Sequence, residues 1–477
     1  PVKQIFCLWL VPDFLLEEAL RKQAAQKLRL SPKLVNPPRR KNFSQPEKRN
    51  FPCNFVLFFV FPPLFGQKNF FRLSFFFHPA AHRPLPGTPV PQLSMENSDL
   101  HENACIFRVF RLVSVPVPPF PPAPPFRLRD RGAEGRIFFM QKPLIAVTPG
   151  DPAGIGAEIV AKALVSREVS ALARPLVIGD ARILRRALDA TGVRLSLRPV
   201  ASAAEVGDAP GVLHFLDLGN ISPENAPFGV VSAACGRAAY ESIARAVSLA
   251  MSGEAAAVAT APINKESLRA AGVPHIGHTE IFGALTGTDD PLTMFETGAL
   301  RVFFLTRHVR FSAVPELLSR ERVETACRRA LSALAQLGGT GGTLALAALN
   351  PHGGEHGLFG DEEDAVLAPA VEALRAKGLP VEGPVPADSV FHLARTGRFA
   401  AVMSLYHDQG HIACKTLDFA GTVSVTCGMP ILRTSVDHGT AFDIAGTGKA
   451  DETGMIEAIR AAARYAPHFV RGGAPAA

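Results

Sequence analysis

From Ile145 to the carboxyl end, the chain alternates short apolar runs with amphipathic stretches of helical period, and this alternation restricts its fold more than any other feature. Runs of strand length lie at 144–148, 175–179, 212–218, 255–260, 301–306, 344–349, 399–405 and 423–427. Helical stretches follow several of them, at 181–191, 231–251 and 453–465. The alternation predicts an α/β domain, in which ligands bind outside the carboxyl ends of the strands.

Polar residues cluster at those strand ends. The first run enters Gly150-Asp151-Pro152-Ala153-Gly154-Ile155-Gly156 and then a helix to about Leu164. Such a turn can offer backbone N–H groups to an anion, or it can need glycine only to turn tightly. It is not G-x-G-x-x-G, so it does not predict a Rossmann fold. The run at 255–260 leads to Asn264-Lys265, and Gly277-His278-Thr279-Glu280 precedes a helix in which Thr279 suits an N-cap as well as a ligand contact.

The runs at 301–306, 344–349 and 399–405 are followed by His308, His352 and His407. Three imidazoles at equivalent strand ends can converge on one divalent ion and leave a position open for substrate, provided the fold brings them together. His407 opens Tyr406-His407-Asp408-Gln409-Gly410-His411, with Lys415 close behind, and Arg433 opens a polar run that continues to Gly446. Lys415 and Arg433 can meet at one anion, Arg as a two-pronged donor and Lys as a point charge; alone, each reads as ordinary surface charge.

Residues 1–139 have a different character. They hold 20 of the 33 phenylalanines and carry 20 Lys+Arg against 9 Asp+Glu, whereas the rest of the chain has 30 against 34. The basic balance therefore belongs to this segment, and a nucleic-acid function is not indicated for the remainder. No helical or strand period organises the Pro/Phe clusters, and the next methionine after Met95 is Met140, directly before the first strand. The expectation is a disordered or non-native extension over 1–139 and a functional domain over 140–477. The seven cysteines are scattered without a C-x-x-C pair, as in reduced cytoplasmic proteins, and no apolar run is long enough to span a bilayer.

Seven ordered runs, GDPAGIG (150–156), TAPINK (260–265), GHTE (277–280), NPHGGE (350–355), PADSVF (386–391), YHDQGH (406–411) and RTSVDHGTAFDIAG (433–446), resemble the 4-hydroxythreonine-4-phosphate dehydrogenases of pyridoxal phosphate biosynthesis. The resemblance covers residues 142–470 and none of the first 139. It implies an α/β fold of two subdomains like the isocitrate and isopropylmalate dehydrogenases, not a Rossmann fold, with the site in the cleft between subdomains. It implies NAD (NADP as an alternative), one divalent metal (zinc, with magnesium or cobalt as alternatives), and a homodimer with shared active sites. Oxidation of a secondary alcohol is followed by decarboxylation to 3-amino-2-oxopropyl phosphate.

By position, the resemblance makes His308, His352 and His407 the metal ligands. Asp408, Asp388 and Lys415 become catalytic candidates, and His278, Thr279, Lys415, Ser424 and Arg433 contact substrate. The segment from His438 and Gly439 to Asp443 resembles the loop that wraps the adenosine end of the dinucleotide. Ser424 stands where the family has asparagine. With Arg307 and His411, it is reminiscent of a paralogous branch acting on phosphorylated erythronate or threonate, or on a dihydrodiol carboxylate. The expected partner is a small phosphorylated hydroxy acid, with neither nucleic acid nor membrane; a noncatalytic metal- or anion-binding protein is the distant alternative.

Overall fold

The computed structural model describes residues 6–9, 56–59, 127–128 and 142–471. The chain divides into two compact units, 1–119 and 120–477. In the first, Phe6–Trp9 pairs antiparallel with Val56–Phe59. The remainder of the expected extension lies outside the described residues, apart from Arg127–Leu128, which pairs with Gly339–Thr340.

The second unit is built on one twelve-stranded sheet. Its strands in chain order are β1 (Leu144–Thr148), β2 (Arg174–Gly179), β3 (Ser196–Pro199), β4 (Val212–Asp217), β5 (Ala257–Thr260) and β6 (Leu292–Thr297). There follow β7 (Leu300–Phe304), β8 (Leu344–Ala347), β9 (Val381–Val385), β10 (Ala401–Ser404), β11 (Val423–Cys427) and β12 (Arg433–Val436). They lie side by side as β9-β8-β10-β7-β6-β11-β12-β5-β1-β2-β4-β3.

Two parallel blocks result. The strands β9, β8, β10 and β7 run one way, while β12, β5, β1, β2, β4 and β3 share the other direction. Between them β6 and β11 pair antiparallel with both neighbours, so the blocks are opposed. This is an α/β fold, and its strand order is not that of a Rossmann domain. The sequence reading placed most strands within a residue or two, but it did not single out β3, β6, β9 or β12. β6 and β12 belong to the antiparallel seam and carry polar side chains into the interior, so they do not read as apolar runs.

The alternation of side chains along each strand fills two layers of helix. Ile145 and Val147 pack with α1 (Gly156–Leu164) on one face, whereas Leu144 and Ala146 join Ile243 and Val247 of α2 (Ala233–Ser252) on the other. The second face also receives Phe282 of α3 (His278–Thr286), and the first receives α4 (Arg320–Gln336). In the four-stranded block, Val402 meets Val390 of α5 (Ala387–Arg395) and Cys414 of α6 (His407–Leu417). The last helix, α7 (Thr453–Tyr465), sends Met455 and Ile459 into the first layer.

Helix α6 contains Gly410, a poor helix former, for a packing reason. A Cβ there would lie 2.5 Å from the ring of Phe304 and 2.8 Å from Val302, so only glycine lets the helix press onto the sheet.

Candidate functional site

His308, His352 and His407 follow β7, β8 and β10, which are adjacent parallel strands, so all three start from one edge of the sheet. The structure then separates them. The rings of His308 and His407 are 5.7 Å apart between centroids. His352 has a left-handed backbone (φ 54°), and its ring lies near that of Phe359. Among the described residues, no three His, Cys, Asp or Glu side chains are gathered to hold an ion. One chain thus supplies two of the three expected ligands together.

The donors present nevertheless suit a divalent cation. The Asp408 carboxylate lies 2.7 Å from Nδ1 of His407, which places the proton on Nδ1 and leaves Nε2 with its lone pair. His411, one turn further along α6, stacks on His407 at 4.0 Å and on Phe304 at 4.8 Å. Burial above all pushes its pKa down to about 4, so it remains a neutral aromatic plate behind His407. Asp388 is exposed in the first turn of α5.

At the centre of the sheet, Arg433 opens β12 and is 4% exposed. Its guanidinium donates to Thr260 Oγ1 at 2.9 Å and to Thr426 Oγ1 at 2.9 Å, and it lies over the ring of Phe282 at 5.1 Å. Among the described residues no carboxylate forms an ion pair with it. Burial draws its pKa down to about 9, which still leaves it charged at neutral pH. His278, at the start of α3, has a buried Nε2 without a partner. Burial and the charge of Arg433 hold its pKa well below the ordinary imidazole range, so it is neutral.

Register places further polar groups on the same face. Thr426 is paired with Arg433 and Ser424 with Ser435, while Ser435 is paired with Thr260, so all five side chains project from one side of the sheet. A buried cation, a neutral imidazole and a row of hydroxyls form a ready receptor for an anionic, oxygen-rich molecule.

Lys415 does not meet Arg433. At the far end of α6 its ammonium pairs with Asp437 at 2.8 Å and lies over Phe419 at 4.8 Å. The two cations are thus held by different partners. Thr279 is not a cap: Gly277 holds that position, and Thr279 sits in the first turn of α3. It lines a cavity of about 450 Å³ together with Glu280 and Arg307, whose guanidinium donates to Thr293 at 3.2 Å.

The glycine-rich turn also departs from one of its two readings. A Cβ on Gly150 (φ +73°) would lie 2.1 Å from the Pro262 carbonyl, and one on Gly154 would strike Thr440. Ile155 N–H donates to Thr440 O at 3.1 Å. The glycines thus permit close packing of backbone on backbone, and the turn seats the segment 437–449. On that segment His438 is half-buried, while Gly439 and Asp443 are exposed with open space beside Gly439. An exposed carboxylate on the same segment as an unobstructed glycine suits the vicinal hydroxyls of a ribose, so these residues fit a dinucleotide. Thr260, Thr426 and Glu158 were not singled out from sequence, since only cross-strand register and long-range hydrogen bonds identify them.

The chain was compared with known proteins. Residues 171–462 match the family described as Pyridoxal phosphate biosynthetic protein PdxA. A protein of Symbiobacterium thermophilum that carries the name of a D-threonate 4-phosphate dehydrogenase is 56% identical over 330 residues, covering 69% of this chain and 98% of its own length. A Fusobacterium nucleatum protein with the same name is 51% identical over 325 residues, covering 68% of this chain and 98% of its own. The crystal structure of 4-hydroxythreonine-4-phosphate dehydrogenase from Klebsiella pneumoniae superposes with a TM-score of 0.64 at 42% identity, covering 69% of this chain and 99% of that one. With a neutral histidine and an unpaired buried arginine already in the fold, these likenesses have a consistent meaning: the chain belongs to the PdxA family of dehydrogenases.

Proposed function

We propose that the protein oxidises a four-carbon hydroxy acid 4-phosphate with NAD, D-threonate 4-phosphate in preference to 4-hydroxythreonine 4-phosphate, and that the β-keto acid so formed loses carbon dioxide. The observation that carries this reading is Arg433, a buried cation held by hydroxyls alone, with neutral His278 beside it. Ser424 favours the hydroxy acid over its amino counterpart. It offers a short hydroxyl where an asparagine would offer two amide N–H donors and a longer reach. The names of the most similar relatives support the same choice.

In this reading Arg433, His278 and Thr279 hold the anionic end of the substrate, and Lys415 contacts its other end. The Lys415–Asp437 pair keeps the ammonium fixed before substrate arrives. Asp408 fixes the tautomer of His407, and Asp388 is available to orient the reacting hydroxyl or relay its proton. His308 and His407 would hold a divalent ion, which when bound would supply Lewis acidity toward the substrate oxygens, and the segment from His438 to Asp443 would hold NAD, which would supply the hydride acceptor. Loss of carbon dioxide from the oxidised threonate leaves dihydroxyacetone phosphate; the 4-hydroxythreonine substrate would leave 3-amino-2-oxopropyl phosphate.

The third ligand, His352, comes from a second copy of the chain in this proposal, so the working unit is a homodimer. Three exposed apolar side chains in the segments around the histidines, Phe311 (69% exposed), Ile412 (64%) and Phe419 (70%), are suited to be covered by that copy. The reading is of a cytoplasmic enzyme, in keeping with the buried free thiols of Cys235, Cys327, Cys414 and Cys427. Among the described residues, no helix is long and apolar enough to cross a membrane.

The test is NADH formation by the full-length protein with zinc and NAD, comparing the two substrates. A kcat/KM at least about tenfold higher for D-threonate 4-phosphate is expected, that ratio being roughly one buried hydrogen bond to a charged group. The opposite ranking would move the protein to the pyridoxal phosphate pathway. Absence of turnover with both would overturn the reading.

A further inference from the structure

Glu158 lies in the first turn of α1 and is 1% exposed, yet among the described residues no cation forms an ion pair with it. Its two carboxylate oxygens are spent on the backbone of a distant segment: Gly446 N–H donates to Oε1 at 2.6 Å and Gly448 N–H to Oε2 at 2.9 Å. The receiving segment, 437–449, has no strand or helix of its own to satisfy its amides. We propose that Glu158 is a positioning residue for dinucleotide binding, holding 438–448 in the shape that presents His438, Gly439 and Asp443. This rests on the reading that the segment takes the dinucleotide.

The neighbouring contacts show why one carboxylate can govern the whole segment. Ile155 N–H fixes its front at Thr440 O (3.1 Å), and Lys162 Nζ fixes its rear at Ala450 O (2.6 Å). Glu158 stands between those two on the same helix and grips the middle. Gly446 and Gly448 both have left-handed backbones (φ +82° and +69°), and a Cβ on either would strike Phe228 or the Ala190 carbonyl. The segment therefore has little freedom where the carboxylate holds it and more at the exposed Gly439. A charge-assisted acceptor for two amides is the strongest local tie available to it. The amide of glutamine could accept from one glycine, but it would turn its own N–H₂ toward the other.

The experiment is equilibrium titration of the full-length protein with NADH, followed by fluorescence, for wild type, Glu158→Gln and Glu158→Asp. It is paired with steady-state kinetics and with hydrogen exchange of the 438–448 amides. Glu158→Gln is expected to raise the NADH Kd roughly 10- to 100-fold, the range for loss of a hydrogen bond to a buried charge. Amide exchange at 446 and 448 should quicken, while kcat at saturating NAD stays within about twofold. Glu158→Asp retains the charge but reaches only one amide, and an intermediate Kd is expected. Should Glu158→Gln fail to fold, the aspartate variant decides alone. Unchanged NADH affinity in the variants overturns the inference and leaves the dinucleotide reading standing. So does a parallel fall of kcat, substrate affinity and thermal stability, which marks a merely structural residue. A wild-type protein that binds no dinucleotide overturns the reading itself, and the inference with it.

Discussion

Two arginines are buried in the central sheet, and their surroundings are opposite. Arg301 on β7 donates to Glu296 at 3.0 Å and to Tyr465 Oη at 2.9 Å, and Arg464 closes on the same carboxylate from α7. Arg433, only a few strands away, has two threonine hydroxyls and an aromatic ring but, among the described residues, no carboxylate in contact. The first arrangement sets a carboxylate against the buried cation and ties β6 and β7 to α7. In the second, a charge has been taken out of water without an ion partner, an arrangement with a net cost until an anion arrives. The difference separates a structural cation from a binding one, although both are largely hidden from solvent.

That contrast can be broken by removing each charge in turn, and this should produce the largest effects. Arg301→Met leaves Glu296 buried with one cation fewer, and about 3 kcal/mol of stability should be lost with the chemistry of the remaining fold intact. Arg433→Met should leave stability unchanged or slightly higher, while kcat/KM falls by about 100-fold or more, the cost of removing a buried charged hydrogen-bond donor from the substrate. Chemical denaturation and NADH-formation kinetics on the two variants give the comparison directly. Equal destabilisation by both substitutions would show that Arg433 is structural as well.

A smaller effect is expected from the seat of Arg433 than from the arginine itself. Thr260 Oγ1 accepts from both Nε (3.3 Å) and Nη2 (2.9 Å), so Thr260→Val keeps the shape but leaves those donors seeking another acceptor. The guanidinium should then reorient, raising KM roughly tenfold with kcat less affected. A Thr260→Ser variant restores the acceptor and should recover most of the loss. If valine and serine behave alike, the hydroxyl does not aim the arginine.

Much of this site was legible in the sequence because its residues follow apolar strands. His308, His352 and His407 could be placed at strand ends by counting. What counting could not supply was the opposed direction of the two blocks. The antiparallel pairing of β11 with β12 sets Thr426 beside Arg433, the parallel pairing of β12 with β5 sets Thr260 beside Ser435, and neither threonine differs locally from an ordinary strand residue. The same limit applied to Lys415, which shares a motif with His407 but lies at the other end of α6, against Asp437. Glu158 was hidden for a third reason, since its partners are glycine amides almost 300 positions later. A glutamate in the first turn of a helix otherwise reads as a routine response to the helix dipole.

Ser424 gives a finer way to sharpen the contrast, because it shares the face of the sheet with Arg433 and not with the Glu296 cluster. Ser424→Asn should shift the ratio of kcat/KM toward 4-hydroxythreonine 4-phosphate by several-fold, up to about tenfold, with little effect on stability if the larger side chain is accommodated beside the substrate. Competition between the two substrates in one assay measures that ratio without reference to enzyme concentration. An unchanged ratio would remove Ser424 from the residues that choose the substrate.

His278 yields the smallest effect and the one with a definite sign. Its folded pKa is depressed by burial and by Arg433, so the unfolded chain takes up a proton near pH 6.5 that the native state refuses until the pH is much lower. Through that interval the unfolded state binds more protons, and stability must therefore rise with pH and fall on acidification, by at most about 1.4 kcal/mol per pH unit for this one group. Above pH 7 the group is neutral in both states and contributes no slope. Denaturation of wild type and His278→Gln at successive pH values from neutral downward isolates the contribution as the difference between the two curves. Parallel curves would mean that His278 accepts its proton as readily as an exposed imidazole does, and Arg433 would then have no neutral neighbour to share its anion.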